Sequence, residues 1–419
     1  MLYEANLRPK VYEFVKIRAI AMVSSSTSMR ISAFFAASFV SYGIHLPFFP
    51  VLLASRGQDE AAVAIILALP IVLRVTTASA LGAAADRFGD RRRALVVYSG
   101  LVVLGFAALG PAGSFWSLAA ATAATAFAWN GILPVTDAMA TSAVRRGLGV
   151  YGRMRVWGSA AFVAGNLAGG VVAARFGAEA IWWFVMASFA LQFAVAFLLP
   201  DDRALRETAA GAREATRVAL AGLLGDRRLM ATLVGSAVLQ ASHAMLYGFS
   251  SLYWASLGFS GDAIGLLWAT GVIGEIALFT FSGRVLGRLT PRRLLMLGAA
   301  AAVVRWTVFP LLPASLPAWM AVQLLHAATF AAAHLGIMHI VTHRVAERRA
   351  ATAQGLMVSI NGGAMALSTL ASGLLYRAWG GGGFAGMAVV AALGGVILAI
   401  ATAPQPHSAG GGGKTSEPS

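Results

Sequence analysis

AAVAIILALPIVLRVTTASALGAAADRFGDRRR, residues 61–93, carries the two signals that decide the fold. Apart from Arg74 and a few small hydroxylated side chains, residues 61–83 are apolar. A helix of that length reaches about 35 Å, enough to cross a hydrocarbon layer of roughly 30 Å. Arg87, Arg91, Arg92 and Arg93 follow at once. An apolar run of membrane length that ends in an Arg cluster reads as a spanning helix arriving at a positive face.

Working outward, the same unit recurs. Twelve apolar runs are read as spans: 31–54, 61–83, 94–110, 117–140, 153–174, 181–199, 229–256, 263–283, 294–312, 318–342, 353–376 and 384–403. The segments after spans 2, 4, 6, 8 and 10 are Arg-rich, and those after the odd-numbered spans hold at most one Arg each. Positive segments stay inside, so both termini are expected in the cytoplasm. The charged stretch 200–228 divides the chain six plus six. The expected organisation is an N-terminal extension 1–28, a six-helix bundle 29–199, a cytoplasmic linker 200–228, a second six-helix bundle 229–403 and a disordered tail 404–419. Residues 1–28 lack a clean signal-peptide pattern and fall outside the native protein if translation starts at Met29.

Composition agrees. Of 419 residues, 58% are apolar and 12% charged, where a soluble protein has about 25% charged. The formal net charge of +15 sits in short clusters between apolar runs, which is membrane topology and not a nucleic-acid face. There is no cysteine, so disulfides and thiolate metal sites are excluded. No G-x-x-x-x-G-K-[ST] sequence is present, which argues against ATP-driven transport by this chain. The fold class is therefore all-α and polytopic, with two parallel six-helix halves around a midplane site, an architecture of secondary transporters.

A weak repeat links the halves: GAAADRFGDRRR (82–93) after span 2 and GRVLGRLTPRR (283–293) after span 8. In the first copy Gly82, Asp86, Arg87, Gly89, Arg91 and Arg92 resemble the G-x-x-x-D-R-x-G-x-R-R loop of the major facilitator superfamily, which implies a conformational latch between the bundles.

Ionisable residues inside spans are costly, by about 2.5–3.5 kcal/mol each, and mark function. The chain has Arg74, Asp137, Arg153, Arg155, Glu275 and Arg305, with His45, His243, His326 and His334. At about 1.5 Å per residue, Glu275, Arg305 and His326 reach one level on three consecutive antiparallel spans. Asp137 and Arg155 match in depth in the first half. On an ideal helix His326, His334, His339 and His343 do not share a face, so no metal site is expected. His326 and His334 are the deep pair and suit a proton relay with Glu275. A Glu that alternates between an apolar setting and an Arg partner alternates between neutral and charged, which couples proton movement to conformation.

YGRMRVWGSAAF (151–162) resembles the start of helix 5 in the lactose permease type of proton symporter and in the phenylpropionate permease family. QASHAMLYGFSSLYW (240–254), ATGVIGEIALF (269–279), AVVRW (302–306) and VQLLHAATFAAAHL (322–335) resemble segments of the latter family, over nearly the whole chain from Met29. The lactose permease resemblance implies Asp137 and Arg155 as a substrate pair, and Glu275, Arg305 and His326 as a proton-coupling set. The carboxylate that follows the His in that permease is missing here, where residues 327–331 are AATFA. Glu275 is then the sole carrier. Arg74, His243 and Trp157 complete the expected substrate-binding residues, and His334 the proton-coupling ones.

The expectation is thus a proton-coupled symporter of a small aromatic acid such as phenylpropionate. It would act without cofactor as a monomer of the inner membrane, with substrate, proton and bilayer as its only partners. A sugar or nucleoside symporter and a drug or metabolite efflux antiporter are the alternatives. A polytopic membrane enzyme is disfavoured, because no nucleophile or metal constellation appears.

Overall fold

The structure is a computed structural model and describes residues 7–87, 89–201, 220–346 and 349–404. The middle of the expected linker (202–219), nearly all of the expected tail (405–419) and the Asp86 side chain lie outside the described residues. So do the first six residues of the expected extension. The backbone from Leu7 onward is helical and continuous with the first span.

Twelve spans form two six-helix halves. In the first half α1 is Leu7–Ser55, α2 Glu60–Arg87, α3 Arg91–Ala107, α4 Phe115–Arg145, α5 Tyr151–Phe176 and α6 Glu179–Ala196. In the second, α7 has two pieces, Arg227–Ala241 and Ala244–Ser256. Helix α8 is Gly261–Thr280, followed by a short helix Ser282–Arg288. Helix α9 is Pro291–Val308. Helix α10 comprises Leu316–Leu324, a π-helical segment Ala327–Ala332, and Ala333–Arg344. Helices α11 and α12 are Ala350–Trp379 and Phe384–Ala401. Among the described residues, ten segments are long and apolar enough to cross a membrane by length and composition. One of them, Thr352–Ala401, holds both α11 and α12, and α3, at 17 residues, brings the spans to twelve.

The weak sequence repeat has a structural counterpart. Asp90 caps α3 by accepting from the backbone of Arg92 and Arg93, and Thr290 caps α9 by accepting from Arg293. Arg92 Nη2 donates to the carbonyl of Phe197, just past α6, at 2.6 Å. Arg292 Nη1 donates to that of Thr402, just past α12, at 3.4 Å. In each half, a basic residue at the start of the third helix thus supplies a donor to the open carbonyls at the end of the sixth. Gly89 turns the chain into α3 with φ of 70°, a conformation that favours glycine.

The Arg-rich end of the second half is also tied by Asp226. Its carboxylate caps α7 and receives Arg344, at the end of α10, in two bonds of 3.0 and 2.9 Å. Partial burial pushes this carboxyl up, but the Leu229 N–H and the Arg344 guanidinium outweigh that and hold it below the usual carboxylate range. A depressed carboxyl contributes stability above its unfolded value, near about 3.9, and that contribution is lost as pH falls through the lower folded value. Thermal melts of wild type and Asp226→Asn should differ at neutral pH and converge in acid; a gap that persists in acid contradicts this.

The two halves meet along two seams, α5 with α8 and α2 with α11. At the Arg-poor end both seams are closed. A Cβ on Gly265 would stand 2.4 Å from the Asn166 carbonyl oxygen, and one on Gly373 2.5 Å from the Ala64 Cβ. Small residues allow this approach where lipid supplies no hydrophobic drive between helices. Toward the Arg-rich end the same helices part. Gly82, Gly152, Gly283 and Gly355 have nothing within 4 Å of where a Cβ would stand. The tight contacts between the halves at these glycines thus lie at the Arg-poor end, and the four glycines toward the Arg-rich end are uncrowded. Exposed Trp116, Trp183 and Trp379 ring the opposite end, as expected of an interfacial aromatic belt.

Candidate functional site

Two local breaks in helix geometry build the site. In α7, Ser242 Oγ donates to the Leu239 carbonyl at 2.7 Å, and His243 Nδ1 bonds the Gln240 carbonyl at 3.1 Å. Side chains that bond these carbonyls compete with the helical ladder, and α7 divides there. In α10 the π segment begins immediately after His326 and carries Thr329 and Phe330. Such segments recur at functional sites.

These breaks bring a polar network into the second half. Arg305 on α9 is fully buried. Its Nη1 bonds His326 Nδ1 at 3.1 Å and Thr329 Oγ1 at 3.2 Å, and its Nη2 donates to Gln323 Oε1 at 2.5 Å. Gln323 Nε2 in turn donates to the Leu267 carbonyl of α8 at 3.1 Å. Thr329 Oγ1 also bonds His243 Nε2 at 2.9 Å.

The donor inventory fixes the protons. Arg donates only, so His326 Nδ1 must accept, and a neutral His326 carries its hydrogen on Nε2. That nitrogen faces Glu275 Oε2 at 3.7 Å. His243 Nδ1 faces a carbonyl and must donate, so its Nε2 accepts from the Thr329 hydroxyl. A proton added at His326 Nδ1 would confront the Arg305 guanidinium. While Arg305 holds this position, the group free to change protonation is Glu275.

Sequence reading placed Glu275, Arg305 and His326 at one level, and the structure joins them in that order: carboxylate, imidazole, guanidinium. Glu275 does not pair directly with Arg305, because His326 lies between. His243 belongs to the network behind His326, in contact at a ring-centroid distance of 5.4 Å, and lines neither cavity described below. His326 and His334 flank one ring: Phe330 stacks on the first at 5.2 Å and on the second at 6.2 Å. The π segment between them alters the phase that an ideal helix implies.

A cavity of about 200 Å³ lies between the halves, lined by Glu275 and His326 on one side and by Arg155 and Phe39 on the other. A second, of about 510 Å³, is lined by Arg74, Tyr42, His45 and Trp129 of the first half and by Gln240, His334 and Asn361 of the second. Leu46, Tyr247 and Phe330 border both.

Other expected residues fall elsewhere. Asp137 and Arg155 form no ion pair: Tyr151 Oη donates to Asp137 at 3.0 Å, and the Arg155 guanidinium lies over Phe39 at 4.0 Å. Asp137 lines neither cavity. Trp157 is 58% exposed and also lines neither. It lies near the Arg-rich end of α5, on a face turned away from the chambers. In the expected latch, Arg91 donates to Ser142 at 2.9 Å and Arg92 to Phe197, both within the first half, while Arg87 is exposed. Gly82 and Gly89 lie in the same stretch, at the Arg-rich end. Gln323, Thr329 and Gln240 were not anticipated. Their signal was present as uncharged polar groups inside apolar spans.

The model of the MFS_1 like family matches residues 28–385. The chain belongs to this family. A relative described as "Probable 3-phenylpropionic acid transporter" of Escherichia coli (strain K12) is 31% identical over 385 residues, covering 88% of this chain and 96% of the relative. A maltose permease of Geobacillus stearothermophilus is 24% identical, covering 90% and 95%. Among solved structures, the nucleoside transporter NupG superposes with a TM-score of 0.78 at 15% identity, over 90% of this chain and 98% of that one. A bacterial homologue of the lysosomal transporter Spinster, inward-facing and unoccupied, gives 0.70 at 15% identity over 90% and 95%. These two share the fold. The MFS_1-like chain is a multi-pass transporter of the major facilitator fold, and its two cavities lie where the halves of that fold meet.

Proposed function

We propose that this MFS_1-like protein is a proton-coupled symporter of a small aromatic acid, working by alternating access as a single chain in the inner membrane with both termini in the cytoplasm. The observation that carries the coupling is the buried Arg305–His326 contact aimed at Glu275 on a neighbouring helix. The substrate class is supported by the relationship to the 3-phenylpropionic acid transporter.

Protonated, Glu275 is neutral and leaves the Arg305 network undisturbed. Deprotonated, it is an anion drawn to His326 Nε2–H and to the Arg305 charge behind it. That attraction favours approach of α8 to α9 and α10. Because α8 also forms one seam between the halves, its position biases which end is open. The Arg-rich loop 82–93 would engage when the Arg-rich end closes.

Uptake by reconstituted protein under an inward proton gradient, with 3-phenylpropionate against maltose and a nucleoside, tests the reading. Gradient-dependent accumulation of the acid alone is expected. Accumulation of maltose or the nucleoside instead would move the protein to the sugar or nucleoside alternative.

A further inference from the structure

The two cavities divide the labour, and we infer that the acid binds in the larger one, its carboxylate on Arg74 and its ring against the stacked Tyr42–Trp129 pair. This rests on the aromatic-acid reading above and assigns its site. Size separates the cavities first: about 510 Å³ falls within the roughly 300–1,000 Å³ of small-molecule sites, and about 200 Å³ falls below it.

Charge separates them next. The smaller cavity holds Arg155 together with Glu275, which balances it whenever the carboxyl is ionised. The larger holds Arg74 and two histidines with no carboxylate in its lining. Arg74 is solvent-accessible and has no hydrogen bond or ion pair among the described residues. A single uncompensated guanidinium in a chamber matches a monoanion, and its planar fork suits a carboxylate.

Unsatisfied polar atoms give an independent sign. Buried polar groups are nearly always hydrogen-bonded, so exceptions call for an explanation. Thr122 Oγ1, Trp129 Nε1, Gln240 Oε1 and Asn361 Oδ1 are buried without a partner, and all four residues line the larger cavity. No residue lining the smaller one carries such an atom. Trp129 Nε1–H is a donor within a wall that already offers Tyr42, stacked at 4.2 Å, as an aromatic surface. Cation and ring face together describe a site for a planar ring bearing a carboxylate, separated from Glu275 by the Tyr247–Phe330 wall.

Calorimetric titration of the full chain with 3-phenylpropionate and with its uncharged amide tests the assignment. Wild type should prefer the acid. Arg74→Gln should weaken the acid by about ten- to a hundredfold, the range for a lost charge-assisted bond, and leave the amide unchanged. If Arg74→Gln binds neither, Arg74→Lys decides: a retained acid preference supports the charge anchor, and amide binding without that preference overturns it. Loss of preference in Arg155→Gln but not in Arg74→Gln would place the carboxylate in the smaller cavity and overturn the assignment. If wild type binds neither compound, the aromatic-acid reading itself fails, a result distinct from a misplaced anchor.

Discussion

Glu275→Gln should abolish uphill uptake while sparing exchange. Glutamine keeps the shape and the hydrogen bonding of a neutral Glu275 but cannot release a proton. One pH unit across the membrane supports about tenfold accumulation per coupled proton. The variant should bring that ratio to one in reconstituted vesicles and still exchange labelled for unlabelled substrate. Loss of exchange as well would make Glu275 part of the binding or gating machinery. Unchanged accumulation would remove it from coupling altogether. His326 cannot substitute while Arg305 donates to its Nδ1, which is why the effect is expected to be complete.

The second large effect concerns the closed seam. Gly265→Val would force side-chain carbons against the Asn166 carbonyl, where even a Cβ would stand at 2.4 Å, with the Gly170 Cα at 3.2 Å. Both obstacles are backbone, so little can yield. Overpacking of this kind costs about 1–3 kcal/mol, equivalent to a population shift of about 5- to 150-fold away from the state closed at the Arg-poor end. The chain has no cysteine, so a single introduced thiol reports cleanly. Ala64→Cys places one at a buried position of α2 that faces Gly373 of α11, on the opposite seam. Its maleimide labelling should rise by that factor in the Gly265→Val background if the halves rock as rigid bodies. Unchanged labelling would mean that the seams open independently, or not at all.

Much of this was legible before any coordinates. Span length, the alternation of Arg-rich segments and the charged stretch 200–228 gave the six-plus-six fold, because the bilayer imposes a length and a polarity on every helix. Height along a span was also legible: counting residues brought Glu275, Arg305 and His326 together. Rotation was not. Trp157 is largely exposed and lines neither cavity, and Asp137 is held by Tyr151 instead of pairing with Arg155, because depth follows from chain length whereas azimuth and partner depend on packing and on unbroken helical phase. That phase fails at the two places that matter, the α7 break at Ser242–His243 and the π segment after His326. Neither contains proline or glycine to announce it; each is held by side-chain bonds to neighbouring helices. The uncharged Gln323 and Thr329 escaped notice because an inventory of costly charges ranks them low, although they hold Arg305 in place.

The most direct measurement is proton movement itself. Vesicles holding wild-type protein and an entrapped pH-sensitive dye, with no imposed gradient, should acidify inside when 3-phenylpropionate is added outside, and vesicles with Glu275→Gln should not. Carrier-mediated entry of the acid without internal acidification by wild type, or equal acidification by the variant, would contradict the account.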